Sequence, residues 1–473
     1  MNVLFSRFYF IIILSLLSTF SVTADDLLPD HIKGALCLVR ADNQILIVDE
    51  LITGQLSLPG GTITPGEPAS IAAQRETWEE AGLAVTVGHV LGYTDGAVVF
   101  DCVSDSEIIS FQHRNELGGF ELPIWFAPHY GVEVSRAMLI EPNSIAPEQY
   151  RYPEEWGRVT GMFGKASEQP VTYVDELIGA APKIHQAELS GIKGFQTAIQ
   201  SLPAAVSNLI LSTDQLLKPW VFIVIIPMVA WYFGRSFALK FGFTLVAVTL
   251  LSLIAHQGFG FPRPHAYIPS LKLVDSTGYS FPSLVAALWV SLGSLVIWKL
   301  KKLSDTKAWI YLAVGLVWIT IFKIYSGSSF LSDIAMGAIL GGLGTWHIVR
   351  LDAKPDVNIS ELLSSKAVWW GLTLLTVVLT VIWPLPTFTF WLAMLITISG
   401  TITLLKGQLL AKAVPFNFMI GVIVLLLLIN FLISVAGGYI AYSGIGSLIV
   451  ETVRFPLLIL VGCIAIKVRN KAA

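Results

Sequence analysis

Charge is the scarcest property of this sequence: Asp, Glu, Lys and Arg make up 13% of its 473 residues, where an ordinary soluble protein carries about 25%. Beside a hydrophobic share of 54%, that shortage excludes a chain that lives wholly in water. A basic excess is also absent, the net charge being -3, and without it the electrostatic footprint of a nucleic-acid binder is missing. Cysteine is rare. Cys37, Cys102 and Cys463 cannot build a disulfide framework; Cys37 and Cys102 can pair in an oxidising compartment or remain free buried thiols, and the sequence leaves both open. Long apolar runs are lacking between residues 25 and 218, yet they recur from Trp220 to the end. A water-soluble unit followed by a membrane unit is implied.

The chain opens with Arg7, an apolar stretch from Phe8 to Phe20, and Val22-Thr23-Ala24 before Asp25. That layout predicts a signal peptide over 1–24, with an uncleaved anchor as the alternative. Residues 33–48 read as two strands around an Ala-Asp-Asn turn, and 84–103 supply further β-rich runs. Between them a helix is expected, opened by Gly66-Glu67-Pro68 and closed by Gly82. From 164 to 218, Ile192, Phe195, Ile199 and Leu202 recur at helical spacing before Pro203, which predicts an amphipathic linker at the membrane surface or under the soluble unit.

Nine apolar spans are then expected, near 219–234, 237–255, 282–298, 308–325, 331–349, 367–383, 388–405, 418–436 and 445–466. Alternate loops hold Arg235, Lys240, Lys299, Lys301, Lys302, Lys307, Arg350, Lys354, Lys366, Lys406, Lys412, Lys467, Arg469 and Lys471, whereas the opposite loops hold Arg263 and Lys272, with Lys323 at a span end. Positive loops stay in the cytoplasm, so the soluble unit is expected outside it. Glu451 and Arg454, three apart in the last span, read as a local ion pair.

The strongest local signal is GGTITPGEPASIAAQRETWEEAGL, residues 60–83. Glu76, Glu79 and Glu80 fall three and four apart, so one helical face crowds three carboxylates. Such crowding favours a hard divalent cation, Mg²⁺ or Mn²⁺, which can bridge to phosphate oxygens and activate water. Arg75 can pair with Glu79 one turn on and fix its rotamer. Ile71 and Trp78, seven apart, are expected to share a face that packs on a sheet. Tyr93, Trp125 and Phe126 either stack on a base or pack in the core.

This stretch resembles the Nudix box, its matching residues being Gly61, Glu67, Arg75, Glu76, Glu79, Glu80 and Gly82, with Leu83 at the closing apolar position. Thr77 departs from the usual aliphatic residue. Seven matches would arise by chance with a probability on the order of 10⁻⁹ per start site. The resemblance implies an α/β/α sandwich with a mixed sheet, a metal held by Glu76, Glu79, Glu80 and the Gly61 carbonyl, and Glu67 as a supporting group. It also implies pyrophosphohydrolase activity on a nucleotide-like small molecule.

Three later stretches, HQGFGFPRP (256–264), YSFPSLVA (279–286) and FKIYSGSSFLSD (322–333), resemble the motifs of the type-2 phosphatidic acid phosphatase superfamily. Arg263-Pro264, Ser283 and Asp333 match, while His256 and Lys323 stand where that family has Lys and Arg. Val285 and Ser329 replace the two histidines that in the family protonate the leaving group and attack phosphorus. Neither side chain does that work unaided, and Asp333 is expected to orient nothing. His256, Arg263, Ser283, Lys323 and Asp333 remain as candidates for binding a lipid phosphate.

The expected plan is therefore a signal peptide (1–24), a Nudix domain (25–163), an amphipathic linker (164–218), a phosphatase-like membrane domain (219–350) and further transmembrane helices (351–473), giving an all-α membrane region of about nine helices. The expected protein is a multi-pass one, of a bacterial inner membrane, whose partners are a nucleotide-like substrate and membrane lipid, not nucleic acid. The alternatives are a bifunctional enzyme that also cleaves polyprenyl diphosphates, and a sensor that binds a lipid pyrophosphate.

Overall fold

A computed structural model describes residues 28–356, 358–405 and 415–472. The expected signal peptide lies outside the described residues, as do Lys406 and Lys412. The soluble unit begins with β1 (Gly34–Leu38), β2 (Arg40–Ala41) and β3 (Gln44–Glu50). Asp42 and Asn43 join β2 to β3 with φ of 49° and 57°, the left-handed pair that a two-residue hairpin needs. Then come β4 (Leu56–Ser57), β5 (Gly60–Thr62), helix α1 (Ala69–Ala81), β6 (Val85–Tyr93), β7 (Ala97–Ser104), β8 (Ile108–Phe111), β9 (Phe120–Glu121), β10 (Val134–Ile140) and α2 (Trp156–Phe163).

The strands form mixed sheets. One runs β5-β1-β7-β6, with β1 and β7 parallel and the other pairs antiparallel. The other contains β2, β3, β10 and β9 in that order. Two short strands beyond the expected boundary at 163 belong to this unit: β11 (Glu168–Gln169) lies parallel to β2, and β12 (Val171–Val174) parallel to β8. Strand alternation divides the interior in two. Leu46, Val48, Val98 and Phe100 pack with Ala69, Ala72 and Ala73 of α1, and Ile45, Ile47 and Val99 pack with Trp156, Val159 and Met162 of α2. The result is the expected α/β/α sandwich with a mixed sheet. Cys37 and Cys102, both fully buried, are disulfide-bonded, with Cα atoms 5.5 Å apart.

Helices α3 (Lys183–Gln200) and α4 (Ala204–Leu216) break at Pro203 as expected. The apolar face of α3 does not lie free on a membrane surface: Leu189 and Ile192 pack with Tyr267, Ile268, Leu271 and Phe330. Beyond them lie α5 (Val221–Phe233), α6 (Arg235–Phe259), α7 (Leu284–Lys299), α8 (Thr306–Tyr325), α9 (Leu331–Asp352), α10 (Lys366–Ile382), α11 (Pro386–Leu405), α12 (Phe416–Ile440) and α13 (Gly444–Ala472). Each sits at one of the expected spans. Among the described residues, six helices are long and apolar enough to cross a membrane, while α7 and α10 are shorter and α5 bends 65° away from α4. Lys240 pairs with Asp352 at 2.6 Å and lies over Trp298, so the ends of α6, α7 and α9 that carry these residues meet. Arg454 and Glu451 pair at 2.5 Å as expected.

The soluble unit is seated on the membrane unit. Trp125 packs on Tyr267 with ring centroids 5.0 Å apart, and Tyr130 meets Tyr279 at 6.3 Å. Leu177 N–H donates to the Tyr267 carbonyl at 2.9 Å, and Arg151 Nε donates to the Tyr442 carbonyl at 3.1 Å.

Candidate active site

Helix α1 carries the glutamates because its alanine-rich face, Ala69, Ala72, Ala73 and Ala81, allows close approach to the sheet. Pro68 caps its start, and Gly82 ends it in the left-handed conformation with its N–H bonded to the Trp78 carbonyl. Thr77 is fully buried on the same face, its hydroxyl donating to the Ala73 carbonyl at 2.7 Å, which is how a polar side chain takes an aliphatic position. Ile71 and Trp78 correct the expectation made for them: they are 49% and 42% exposed and point away from the sheet. Small residues, rather than these large ones, make the packing face.

Arg75 gathers the carboxylates. Its Nη1 donates to Glu76 Oε1 at 2.8 Å and Glu79 Oε2 at 2.9 Å, and its Nε and Nη2 bond both oxygens of Glu67 at 2.9 and 3.1 Å. Glu67 also accepts from the Thr64 N–H and hydroxyl, so the loop before α1 is tied to the helix. The Arg75 guanidinium holds the Glu67 carboxyl down to about 2, and the same bond raises the arginine further above its ordinary range. Burial pushes Glu76 up against the opposing pull of Arg75. Burial pushes Glu80 well above the usual carboxylate range, and the charges of Glu76, Glu50 and Glu133 add to this against the Gly60 N–H, which Glu80 Oε2 accepts at 3.0 Å.

Gly61 lies against Glu76: a Cβ there would stand 2.6 Å from the Glu76 carboxyl carbon. The loop thus leaves room for the carboxylate that any other residue would fill. Ligand atoms of Glu76, Glu79 and His129 lie within 4.8 Å of one another. The carboxylates of Glu76 and Glu80, pushed up by burial and by neighbouring carboxylates, are the kind of donor that a divalent cation relieves. His129 was missed in the sequence, because it arrives from a loop far along the chain and no spacing rule links it to α1. Of the aromatic candidates, Trp125 is half-buried against Tyr267, whereas Tyr93 and Phe126 are 44% and 52% exposed, Phe126 lying 6.1 Å from Trp78.

The second candidate site forms where three loops of the membrane unit converge. Arg263 donates to the Ser328 carbonyl at 2.5 Å and the Thr277 carbonyl at 2.8 Å. The Ser283 N–H donates to the Asp333 carbonyl at 2.9 Å, and His256 Nε2 lies 2.9 Å from the Pro282 carbonyl. Lys323 lies in the last turn of α8, its carbonyl accepting from the Ser328 and Ser329 N–H groups. Asp333 Oδ2 accepts the Phe330 N–H at 2.8 Å, while its Oδ1 is buried without a hydrogen bond. His185, from α3, lies 3.9 Å away through Nε2, stacked on the Phe330 ring at 3.8 Å. Both residues are fully buried. Glu188, one turn on, accepts from the Leu331 N–H at 2.6 Å at the start of α9. Nothing in the linker's sequence pattern pointed to either contact.

Comparison with known families agrees with this division. Residues 30–152 match the NUDIX domain family, and residues 237–355 match the PAP2 superfamily. Among solved structures, an ADP-ribose pyrophosphatase from Streptococcus suis 89-1591 is 15% identical, the match covering 29% of this chain and 96% of that one with a TM-score of 0.21. The MutT protein from Methanosarcina mazei Go1 is 20% identical, over 28% of this chain and 93% of that one, with a TM-score of 0.19. No curated protein matches the chain.

Proposed function

We propose that this chain, a NUDIX domain joined to a PAP2-superfamily membrane domain, is a metal-dependent hydrolase that cleaves a phosphoanhydride bond in a nucleoside diphosphate-linked substrate. The observation that carries this reading is the cluster of Glu76 and Glu79 around Arg75, with Gly61 held open beside Glu76. Glu76, Glu79 and Glu80 would hold Mg²⁺ or Mn²⁺, with the Gly61 carbonyl as a further ligand by family resemblance. A bound cation supplies neutralisation of phosphate charge and a more acidic water. Arg75 keeps Glu76 and Glu79 together before a cation enters, and Glu67 holds Arg75 in place. Glu80, fixed through the Gly60 N–H, sets the depth of the loop against the helix. The exposed pair of Phe126 and Trp78 beside α1 is the surface we assign to the substrate's base.

The domain is assigned to the extracytoplasmic side of a bacterial inner membrane. A buried Cys37–Cys102 bridge persists in an oxidising compartment, and the positive loops favour the opposite side as cytoplasmic. The membrane domain is read as an inactive anchor that binds anionic lipid through His256, Arg263, Ser283, Lys323 and Asp333. Val285 and Ser329 supply neither acid nor nucleophile.

Glu79→Gln should lower metal-dependent hydrolysis of nucleoside diphosphate-linked substrates by at least about a hundredfold, with the fold intact, because it removes a ligand rather than a packing contact. Near-normal turnover in that variant would refute the assignment. One observation favours a second reading, a bifunctional enzyme: the buried His185 lies 3.9 Å from Asp333. Phosphate release from a polyprenyl diphosphate by the Glu79→Gln protein, abolished by His185→Ala, would establish it. Release at the level of empty membranes in Glu79→Gln alone would leave the membrane domain as an anchor.

A further inference from the structure

The loop between β9 and β10 serves both units. Trp125 and Tyr130 are pressed into the contact with the membrane domain, where Tyr279 packs against the soluble core. A Cβ on Gly131, whose φ is +72°, would overlap the Cα of Gly278, so the two backbones meet at glycines. Between these anchors stands His129. Its N–H donates to the Glu79 carbonyl at 2.8 Å, and its own carbonyl accepts from the Glu133 N–H at 3.0 Å. The backbone at His129 is therefore fixed to α1 on one side and to its own loop on the other.

That placement aims the imidazole at the glutamates. Nε2 lies 3.9 Å from Glu79 Oε2, and Nδ1, which makes no hydrogen bond, lies 3.4 Å from Glu133 Oε2 on the other side of the ring. Histidine binds metal with one ring nitrogen facing the ligand cluster and a carboxylate within reach of the other; Glu133 stands within that reach of Nδ1, and accepting its N–H would set the tautomer and raise the donor strength of Nε2. We propose that His129 is a metal ligand of the glutamate site, held there by the membrane domain, and that it biases the site from Mg²⁺ towards Mn²⁺ or a similar borderline cation. Resting on the hydrolase reading above, this names the metal class that the site takes. An all-oxygen set suits Mg²⁺, whereas an imidazole donor raises affinity for the transition metals.

The test uses the full-length protein in detergent with Mn²⁺ alone as the probe. Pulsed electron paramagnetic resonance of the bound Mn²⁺ should show ¹⁴N modulation from a directly coordinated imidazole, lost in His129→Ala. That variant keeps every backbone bond of the loop, and its Mn²⁺ dissociation constant should rise by about tenfold or more while that for Mg²⁺ changes less. Wild-type protein that binds Mn²⁺ without ¹⁴N coupling, or equal Mn²⁺ affinity in His129→Ala, would overturn the proposal and leave His129 as an ion-pair partner of Glu79. Glu79→Gln separates this failure from that of the parent reading. If it abolishes hydrolysis while His129→Ala behaves as wild type, only the ligand assignment falls; if it leaves hydrolysis intact, the hydrolase reading falls.

Discussion

Three carboxylates converge on the guanidinium of Arg75, which holds the Glu67 carboxyl down while burial pushes Glu76 up. The difference is burial: Glu67 sits at the edge with two bonds to the arginine, whereas Glu76 is buried and loses more hydration than Arg75 returns. Glu67 therefore binds its proton less readily in the folded protein than in the unfolded chain, where a glutamate titrates near about 4.3. The stability that follows is fully present above that value and is lost as pH falls through about 2. Thermal midpoints measured downward from about pH 5 should drop more steeply in wild type than in Glu67→Gln, which starts lower. Parallel curves would show that solvent already screens the pair, as it does at exposed sites.

Helix α1 shows how far an element can be read from its residues. Its limits, its glutamate spacing and its terminal glycine were legible because each depends on neighbours within a turn. Its packing face was not, since Ile71 and Trp78 are the larger apolar residues and yet lie outside, where Phe126 covers part of Trp78. Only the nearness of the sheet selects alanine over leucine-sized side chains. At the helix end, Gly82 has φ 65°, and a Cβ would stand 2.8 Å from a Phe126 ring carbon. Gly82→Ala should cost about 1 to 2 kcal/mol from backbone strain alone. It should also displace Phe126. A lowered thermal midpoint together with a raised KM and near-constant kcat would support Phe126 as part of the substrate surface; unchanged KM would remove it from that role.

For the whole molecule, the order of apolar helices and the two families were legible, because a bilayer imposes length and apolarity on each helix and a cluster of carboxylates on one helical face imposes spacing. The topology gives a direct prediction. A reporter fused near residue 165 should be active outside the cytoplasm and one fused after Lys471 inside it. Both on the same side would mean one span too many, most simply α5, which has 13 residues and contains Pro227. The covering of the second site by α3 belongs to this scale as well. His185 and Glu188 reach Asp333 and the start of α9 from a linker that sequence alone left at the membrane surface or under the soluble unit.

By itself the sequence determined what is local or periodic: the glutamate helix, the strand alternation around it, the apolar spans, the distribution of positive loops and the presence of Val285 and Ser329 where the resembled family has histidines. These follow from contacts within a few residues or from the solvent each segment must face. Tertiary structure alone decided which distant side chains meet. It joined Cys37 to Cys102, set His129 beside Glu79, brought His185 to 3.9 Å from Asp333 and turned Trp78 outward. Each of these depends on how separate elements dock, and docking is fixed by shape and burial summed over the whole fold, which no residue spacing records.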